Sequence, residues 1–513
     1  PVSALARDWY IDDGDITISA TENGQTVSQG NTTEADDAPV IKQKNSETTT
    51  DKTIKIETTG DATADVTIED VNIKSDGDAI DVVGSSRANI TLKGKNKILS
   101  ENGSALHVSS GDVTIDGNGS LEAEIGVEDS ANENAKIGSH ENENMSGSIH
   151  ITGDATVTTK DDRIDIYYGD GAGIGSGENG EMSGSITIDE NANVDAFSQE
   201  DGAGIGSGDS GDMSGDITIS GSAQVTAGSD DDGAGIGAGE FGSITSTGRI
   251  IIRDSAKVMA IGEDEGAGIG SGEDKKMEGT IIIQDNAQVT AIAGDSAAAI
   301  GSDDEDDMTG TIFILGNARV NTGILDNDNV YFDYDTKEIK YKLDKNSIGY
   351  IGDGQETNHE SSEGHYVIGS DVTINGISGS NIEALKQYVN MRLNSNGEPE
   401  NLTRLDIRSE NGKFTVDASG EGKVEKILYG DSETVPTAPG TYPVTCVVRF
   451  GDETLEFQIG TLIVPEPPAE AAQPAPVYHV TDKDGNQIPY TAAREGGVLT
   501  IRVDAAYARL TLT

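Results

Sequence analysis

Acids recur in this chain at fixed distances from a recurring isoleucine. Glu141, Glu178, Asp209, Glu240, Glu273 and Asp304 stand four residues after Ile137, Ile174, Ile205, Ile236, Ile269 and Ile300. Four residues before the middle isoleucines stand Asp170, Asp201, Asp232 and Glu265. Carboxylates flanked by glycine carbonyls are hard oxygen donors of the kind Ca²⁺ takes. If equivalent acids stack ~4.8 Å apart, each neighbouring pair repels by ~1 kcal/mol at water-like dielectric and ~3–4 kcal/mol at an effective value of 20. A column of such pairs calls for an intervening cation, with splayed, solvated side chains on turns as the alternative. The expected metal ligands are therefore Asp170, Asp201, Asp232, Glu265, Glu178, Asp209, Glu240 and Glu273, and the expected cofactor is calcium.

A second candidate is the one irregular interval. The isoleucines lie 37, 31, 31, 33 and 31 residues apart, and the longest gap holds Lys160-Asp161-Asp162-Arg163-Ile164-Asp165-Ile166-Tyr167-Tyr168. Rings stack on sugars and charged groups grip hydroxyls, so Asp161, Asp162, Arg163, Asp165, Tyr167 and Tyr168 make a candidate carbohydrate platform. Insertions in repeat arrays map to loops, often on the binding face.

The elements that must position these residues follow from the repeat. Gly-Ala-Gly-Ile-Gly-Ser-Gly occurs at 171–177, 202–208 and 266–272, with Ala in place of Ser at 233–239. Eight residues after each isoleucine comes Met145, Met182, Met213, Ile244, Met277 or Met308. Alternating pairs follow, such as Ile186/Ile188 and Ile217/Ile219, then small-then-branched pairs such as Ala192/Val194 and Ala223/Val225. Such a unit has strand periodicity and no helical one, and it cannot bury its apolar face alone. Stacking the units makes a continuous core, a β-solenoid. Looser copies, Val66/Ile68, Ile80, Ile90/Leu92, Leu106 and Val113/Ile115, extend it toward the N-terminus. The expected fold is all-β: residues 7–49 an N-terminal cap, 50–325 a parallel β-helix, and 326–374 a closing coil or cap. Residues 375–465 are a short helix plus an immunoglobulin-like β-sandwich module, 466–476 a Pro-rich linker and 477–513 a small or truncated β module.

Composition narrows the function. With 35 Lys+Arg against 91 Asp+Glu the net charge is −56, which excludes a basic footprint for nucleic acid or anionic lipid. One cysteine excludes a disulfide framework. Cys446 alternates with Tyr442, Val444, Val448 and Phe450 and is expected as a buried hydrophobe. No apolar stretch reaches the ~18–20 residues of a membrane span. Ala4-Leu5-Ala6 has the Ala-x-Ala form of a secretory cleavage site, which predicts a secreted or cell-surface protein.

The Ile-Thr-Ile strands, Gly-Asn-Ala turns and Gly-Ala-Gly-Ile-Gly repeats over residues 7–325 resemble surface proteins of Gram-positive gut and cellulolytic bacteria. Those carry a right-handed parallel β-helix like that of pectate lyases, and the resemblance implies carbohydrate binding and calcium. Ala438-Pro439-Gly440-Thr441-Tyr442 with Gly460-Thr461-Leu462-Ile463-Val464 resembles a bacterial immunoglobulin-like repeat. Pectate lyases pair calcium with a basic proton acceptor, but the repeats after Ile137 offer chiefly Arg163, Arg249 and Arg253. The Gly-His-Gly of polygalacturonases is missing. His359-Glu360-Ser361-Ser362-Glu363 has Glu where a zinc protease needs its second His.

The expected function is a non-catalytic, calcium-stabilised surface β-helix that binds carbohydrate or the glycan of a glycoprotein. The alternatives are an adhesin for a host protein and a lyase or hydrolase of uronic acid polymers. The outward positions His150, Thr187, Thr218, Ile251, Ile282 and Phe313 turn apolar along the stack. Something must cover the last three, with 326–374 the expected cover and a partner the alternative. Ser380, with Glu383, is expected to cap a helix carrying Ile382, Leu385 and Val389.

Overall fold

Alternation sets the architecture. In Ser185–Ile188, Ile186 and Ile188 are buried while Ser185 and Thr187 are partly exposed. The next coil repeats this in Asp216–Ile219, parallel and in register, Ile186 beside Ile217 and Ile188 beside Ile219. The structure is a computed structural model. It describes residues 7–126, 132–161, 169–294, 296–303, 308–333, 338–344, 347–354, 363–410, 412–450, 453–465, 479–495, 498–503 and 508–511. The chain is all-β with three long, largely parallel sheets, a parallel β-helix to which each coil gives one strand per sheet.

Each sheet has its own ladder. The isoleucine face stacks Ile151, Ile188, Ile219, Ile252, Ile283 and Ile314. The alanine–valine face stacks Val157, Val194, Val225, Val258, Val289 and Val320. The third face stacks Ile80, Leu106, Ile137, Ile174, Ile205, Ile236, Ile269, Ile300 and Ile351. Met145, Met182, Met213, Ile244 and Met277 bridge coil to coil between the faces. These side chains are buried in one core.

From Ile137 onward the third face narrows to Ile-Gly. Gly175 and Gly206 have φ near +148° and +145°, and a Cβ on either would lie 1.7 Å from the carbonyl oxygen of the glycine in the next coil. Only glycine allows both that dihedral and that approach.

Both ends of the stack turn antiparallel. At the N-terminus Ile16–Thr21 pairs parallel with Ile54–Thr58 and antiparallel with Gly24–Gln29, which pairs with Thr32–Ala35. At the other end the isoleucine face runs on through His365–Gly369 into Leu402–Glu410, and Lys413–Gly420 closes it as an antiparallel edge. The ladder thus continues past residue 325.

The apolar stripe has a different cover from the one expected. Ile282, Phe313 and Val367 are buried with Leu405, Cys446, Val448, Phe450 and Phe457, and Ile251 packs at the margin. Phe313 and Phe457 rings lie 4.7 Å apart. The cover is the three-stranded antiparallel sheet of Lys423–Tyr429, Gly440–Phe450 and Glu453–Val464, because its apolar face is the one that needs a partner. Segment 326–374 instead extends the stripe through Val367. Cys446 is fully buried there. The helix is one turn, Ile382–Leu385, and its N-cap is Asn381, whose side chain accepts from the Ala384 N–H. Ser380 is one residue too early, its N–H being taken by the Ser378 hydroxyl. Beyond the Pro-rich linker, which lies outside the described residues, Tyr490–Glu495 pairs antiparallel with Val498–Val503.

Candidate functional site

The two acid columns lie on the turns that flank the Ile-Gly strand, and stacking merges them. The acid after the isoleucine of one coil sits on the acid before the isoleucine of the preceding coil. The N–H of Glu178 donates to the Glu133 carbonyl at 2.9 Å, Asp209 to Asp170 at 2.8 Å, Glu240 to Asp201 at 2.8 Å and Glu273 to Asp232 at 3.1 Å. The residue after each acid is left-handed, with φ of 57° at Asn179, 56° at Ser210, 50° at Phe241 and 59° at Asp274. That turn aims the acids along one edge.

The result is a ladder of carboxylate trios: Glu133, Asp170, Glu178; Asp170, Glu200, Asp201; Asp201, Asp231, Asp232; and Asp232, Glu240, Glu273. In each, one oxygen from every member lies within 4.8 Å of the others. Of the expected ligands, Asp170, Asp201, Asp232, Glu178, Glu240 and Glu273 are brought together. Asp209 and Glu265 stand beside the ladder without joining such a trio among the described residues, the Glu265 N–H donating to Asp232 Oδ1 at 3.1 Å. Asp304 lies outside the described residues.

Electrostatics mark the crowding. Burial, then the Asp201 and Glu133 charges, push Asp170 up to about 6. Burial with Asp201 and Asp170 pushes Asp209 up to about 6. A hydrogen bond shared with Glu178, then burial, pushes Glu133 up to about 7, and burial with Asp232 and Asp201 takes Asp231 up to about 7. Glu240 and Glu273 are raised by burial and by the Asp201 and Asp232 charges they face. Carboxylates so placed share protons or a cation. An oxygen-only set of this density fits Ca²⁺, which takes six to eight such donors. Sequence reading missed Glu133, Glu200 and Asp231: Glu133 stands four residues before Ile137 and fits the spacing, whereas Glu200 and Asp231 stand five residues before Ile205 and Ile236 and fall outside it. Missed too was Lys136, fully buried, whose Nζ lies 3.3 Å from the Gly171 carbonyl and whose charge lowers Asp170.

The expected sugar loop is only partly in view. Asp161 ends the strand Thr156–Asp161 on the alanine–valine face, while Asp162, Arg163, Asp165, Tyr167 and Tyr168 lie outside the described residues. The same face carries a trough of about 720 Å³ lined by Asn193, Gln224, Lys257, Gln288 and Arg319 with Thr226, Thr290 and Asn321. The first five are one register row, Asn193 beside Gln224, Lys257, Gln288 and Arg319 in turn. The sequence signal was present in the outward residue before each ladder valine.

Three stretches match the family model described as Beta helix repeat: residues 186–209, 217–240 and 250–273. Each begins at the first isoleucine of the isoleucine face and ends on the acid four residues after the third-face isoleucine, Asp209, Glu240 or Glu273. No curated protein and no solved structure matches the chain. Among the described residues no helix is long and apolar enough to cross a membrane.

Proposed function

We propose that this chain is a non-catalytic, secreted or cell-surface β-helix that binds carbohydrate, free or on a glycoprotein, along the alanine–valine face and is stabilised by calcium on its carboxylate ladder. The register row Asn193, Gln224, Lys257, Gln288, Arg319 carries the reading. Amides and cations repeated every ~4.8 Å offer a regular row of hydrogen-bonding groups to a polymer of hydroxyls, and many weak contacts add along a rigid rod. Calcium would be held by Asp170, Asp201, Asp232, Glu178, Glu240 and Glu273 with Glu133 and Asp231, and would supply the charge that lets them stay ionised while stacked. The adhesin reading loses its main support, because the Ile251, Ile282, Phe313 stripe is covered by the chain's own C-terminal strands. Those strands, expected as an immunoglobulin-like spacer, hold the last coils.

The test is a glycan array in calcium, repeated with Gln224→Ala/Gln288→Ala and Lys257→Ala/Arg319→Ala. Binding weakened at least several-fold by either pair supports the trough; binding indifferent to both, or unsaturated products released from uronic acid polymers, overturns the reading.

A further inference from the structure

Two of the six histidines in the chain lie ring on ring. His107 and His140 have centroids 3.9 Å apart and planes 5° apart. The register explains how they meet. His107 stands between Asp81 and Gly138 in one column of the third face, so it is the last side chain before that column becomes glycine. With nothing on Gly138 above it, the ring is open on that side, and His140, two residues further on, stacks there.

Carboxylates bracket the pair. On one edge Asp78 reaches both rings, Oδ1 2.7 Å from His140 Nε2 and Oδ2 3.9 Å from His107 Nδ1, and Asp81 Oδ1 lies 2.9 Å from His107 Nδ1. On the other edge Glu143 Oε2 lies 3.0 Å from His107 Nε2 and 3.8 Å from His140 Nδ1. Asp78, His107 and His140 each offer one ligand atom, and these all lie within 4.8 Å of one another. Donors around one tetrahedral zinc sit about 3.3 Å apart, given Zn–N and Zn–O of ~2.0–2.2 Å, and the 2.7 and 3.9 Å separations of Asp78 from the two rings bracket that spacing.

The supports are those of a metal centre. Glu143 accepts from His107 Nε2, which leaves Nδ1 as the nitrogen that carries a lone pair when an ion displaces its proton. The Ser104 N–H donates to Asp78 Oδ1 at 2.9 Å. Gly103 makes the room, since a Cβ there would lie 2.4 Å from Asp78 Oδ1. His107 is buried and Asp78 and His140 are partly so. Imidazole nitrogens suit zinc, copper or nickel and not calcium, so this set differs in kind from the oxygen-only ladder.

We propose that Asp78, His107 Nδ1 and His140 Nε2, with Asp81 beside them, form a binding site for a divalent transition-metal ion of the zinc type that ties three successive coils together where the glycine strand begins. The site needs neither calcium nor carbohydrate.

The test uses the full chain, stripped of metal and held in excess Ca²⁺ so that the carboxylate ladder is filled, and titrated with Zn²⁺ by calorimetry and elemental analysis. One zinc per chain is expected, and Co²⁺ in its place should give the visible absorption of a low-coordinate nitrogen and oxygen site. His140→Gln should abolish stoichiometric binding, Glu143→Gln should weaken it about 10–100-fold, and Asp201→Asn should leave it intact. The zinc-free melt of His140→Gln reports whether that variant folds; should it not, Glu143→Gln decides alone. Absence of stoichiometric zinc, binding undiminished in the histidine and glutamate variants, or binding lost in Asp201→Asn overturns the proposal.

Discussion

In the coils up to residue 126, acids face cations. Lys42 lies 3.2 Å from Asp8 and 3.7 Å from Glu69, and Lys97 lies 2.6 Å from the buried Glu124. Along the third face from Ile137 onward, acids face acids, in trios that share Asp170, Asp201 and Asp232. The hydrophobic ladder is the same in both regions; what differs is how each coil answers the charge of its neighbour. The first region carries its counter-charges as side chains, at little cost in ion dependence. The second has replaced side chains by glycine at the wall, which leaves few places from which a lysine could reach, Lys136 beside Asp170 being one that does. The rest of its counter-charge must then come from protons or from solution.

The comparison can be broken hardest at the wall itself. Gly206→Ala puts a Cβ 1.7 Å from the Gly237 carbonyl oxygen at a left-handed dihedral, and strain plus overpacking should cost up to about 6 kcal/mol. Denaturant unfolding measures it. Phe457→Ala uncovers the stripe beside Phe313 and should cost about 3 kcal/mol, read as earlier loss of the C-terminal strands in hydrogen exchange. The ladder should respond to pH with a definite sign. Asp170, Asp231 and Glu133 are raised from 3.8, 3.8 and 4.5 to about 6, 7 and 7. Each holds its proton longer folded than unfolded, so without calcium this stability is complete below about pH 4 and is lost as pH rises toward 7. Melting temperature against pH in chelator should therefore fall across that window, and saturating calcium should flatten the fall. A flat profile in both would make the ladder a solvated surface. The smallest effect is expected in the first region at Gly77→Ala, where a new Cβ meets nothing within 4 Å; its melt should match the parent within ~0.5 kcal/mol.

What could be read from sequence was whatever the repeat wrote more than once. Ile174, Ile205, Ile236 and Ile269 stack as their spacing predicts, and Met182 bridges Met213 as its offset predicts. Each acid column was visible for the same reason. That the columns interleave was not, because it depends on how far a turn carries Asp209 back over Asp170, a distance in space that no spacing within one coil encodes. The histidine pair was hidden by the opposite cause: Asp78, His107 and His140 occur once each, in coils of unequal length. Only the register of Asp81, His107 and Gly138 aligns them. The cover of the stripe was misassigned because proximity in sequence favoured 326–374, while the apolar face that fits comes from Val448, Phe450 and Phe457.

Antiparallel strands close both ends of the stack, and between them the coils from Ile174 to Ile300 repeat every 31 or 33 residues. Length in such a molecule is inherited in whole steps. Duplicating or deleting the 31 residues from Ile205 to Gly235 rejoins equivalent positions, leaves both closures untouched and changes the rod by ~4.8 Å. Recombination between near-identical glycine repeats makes that step an easy one, so related genes should differ in reach by integer numbers of coils, like marks on a ruler.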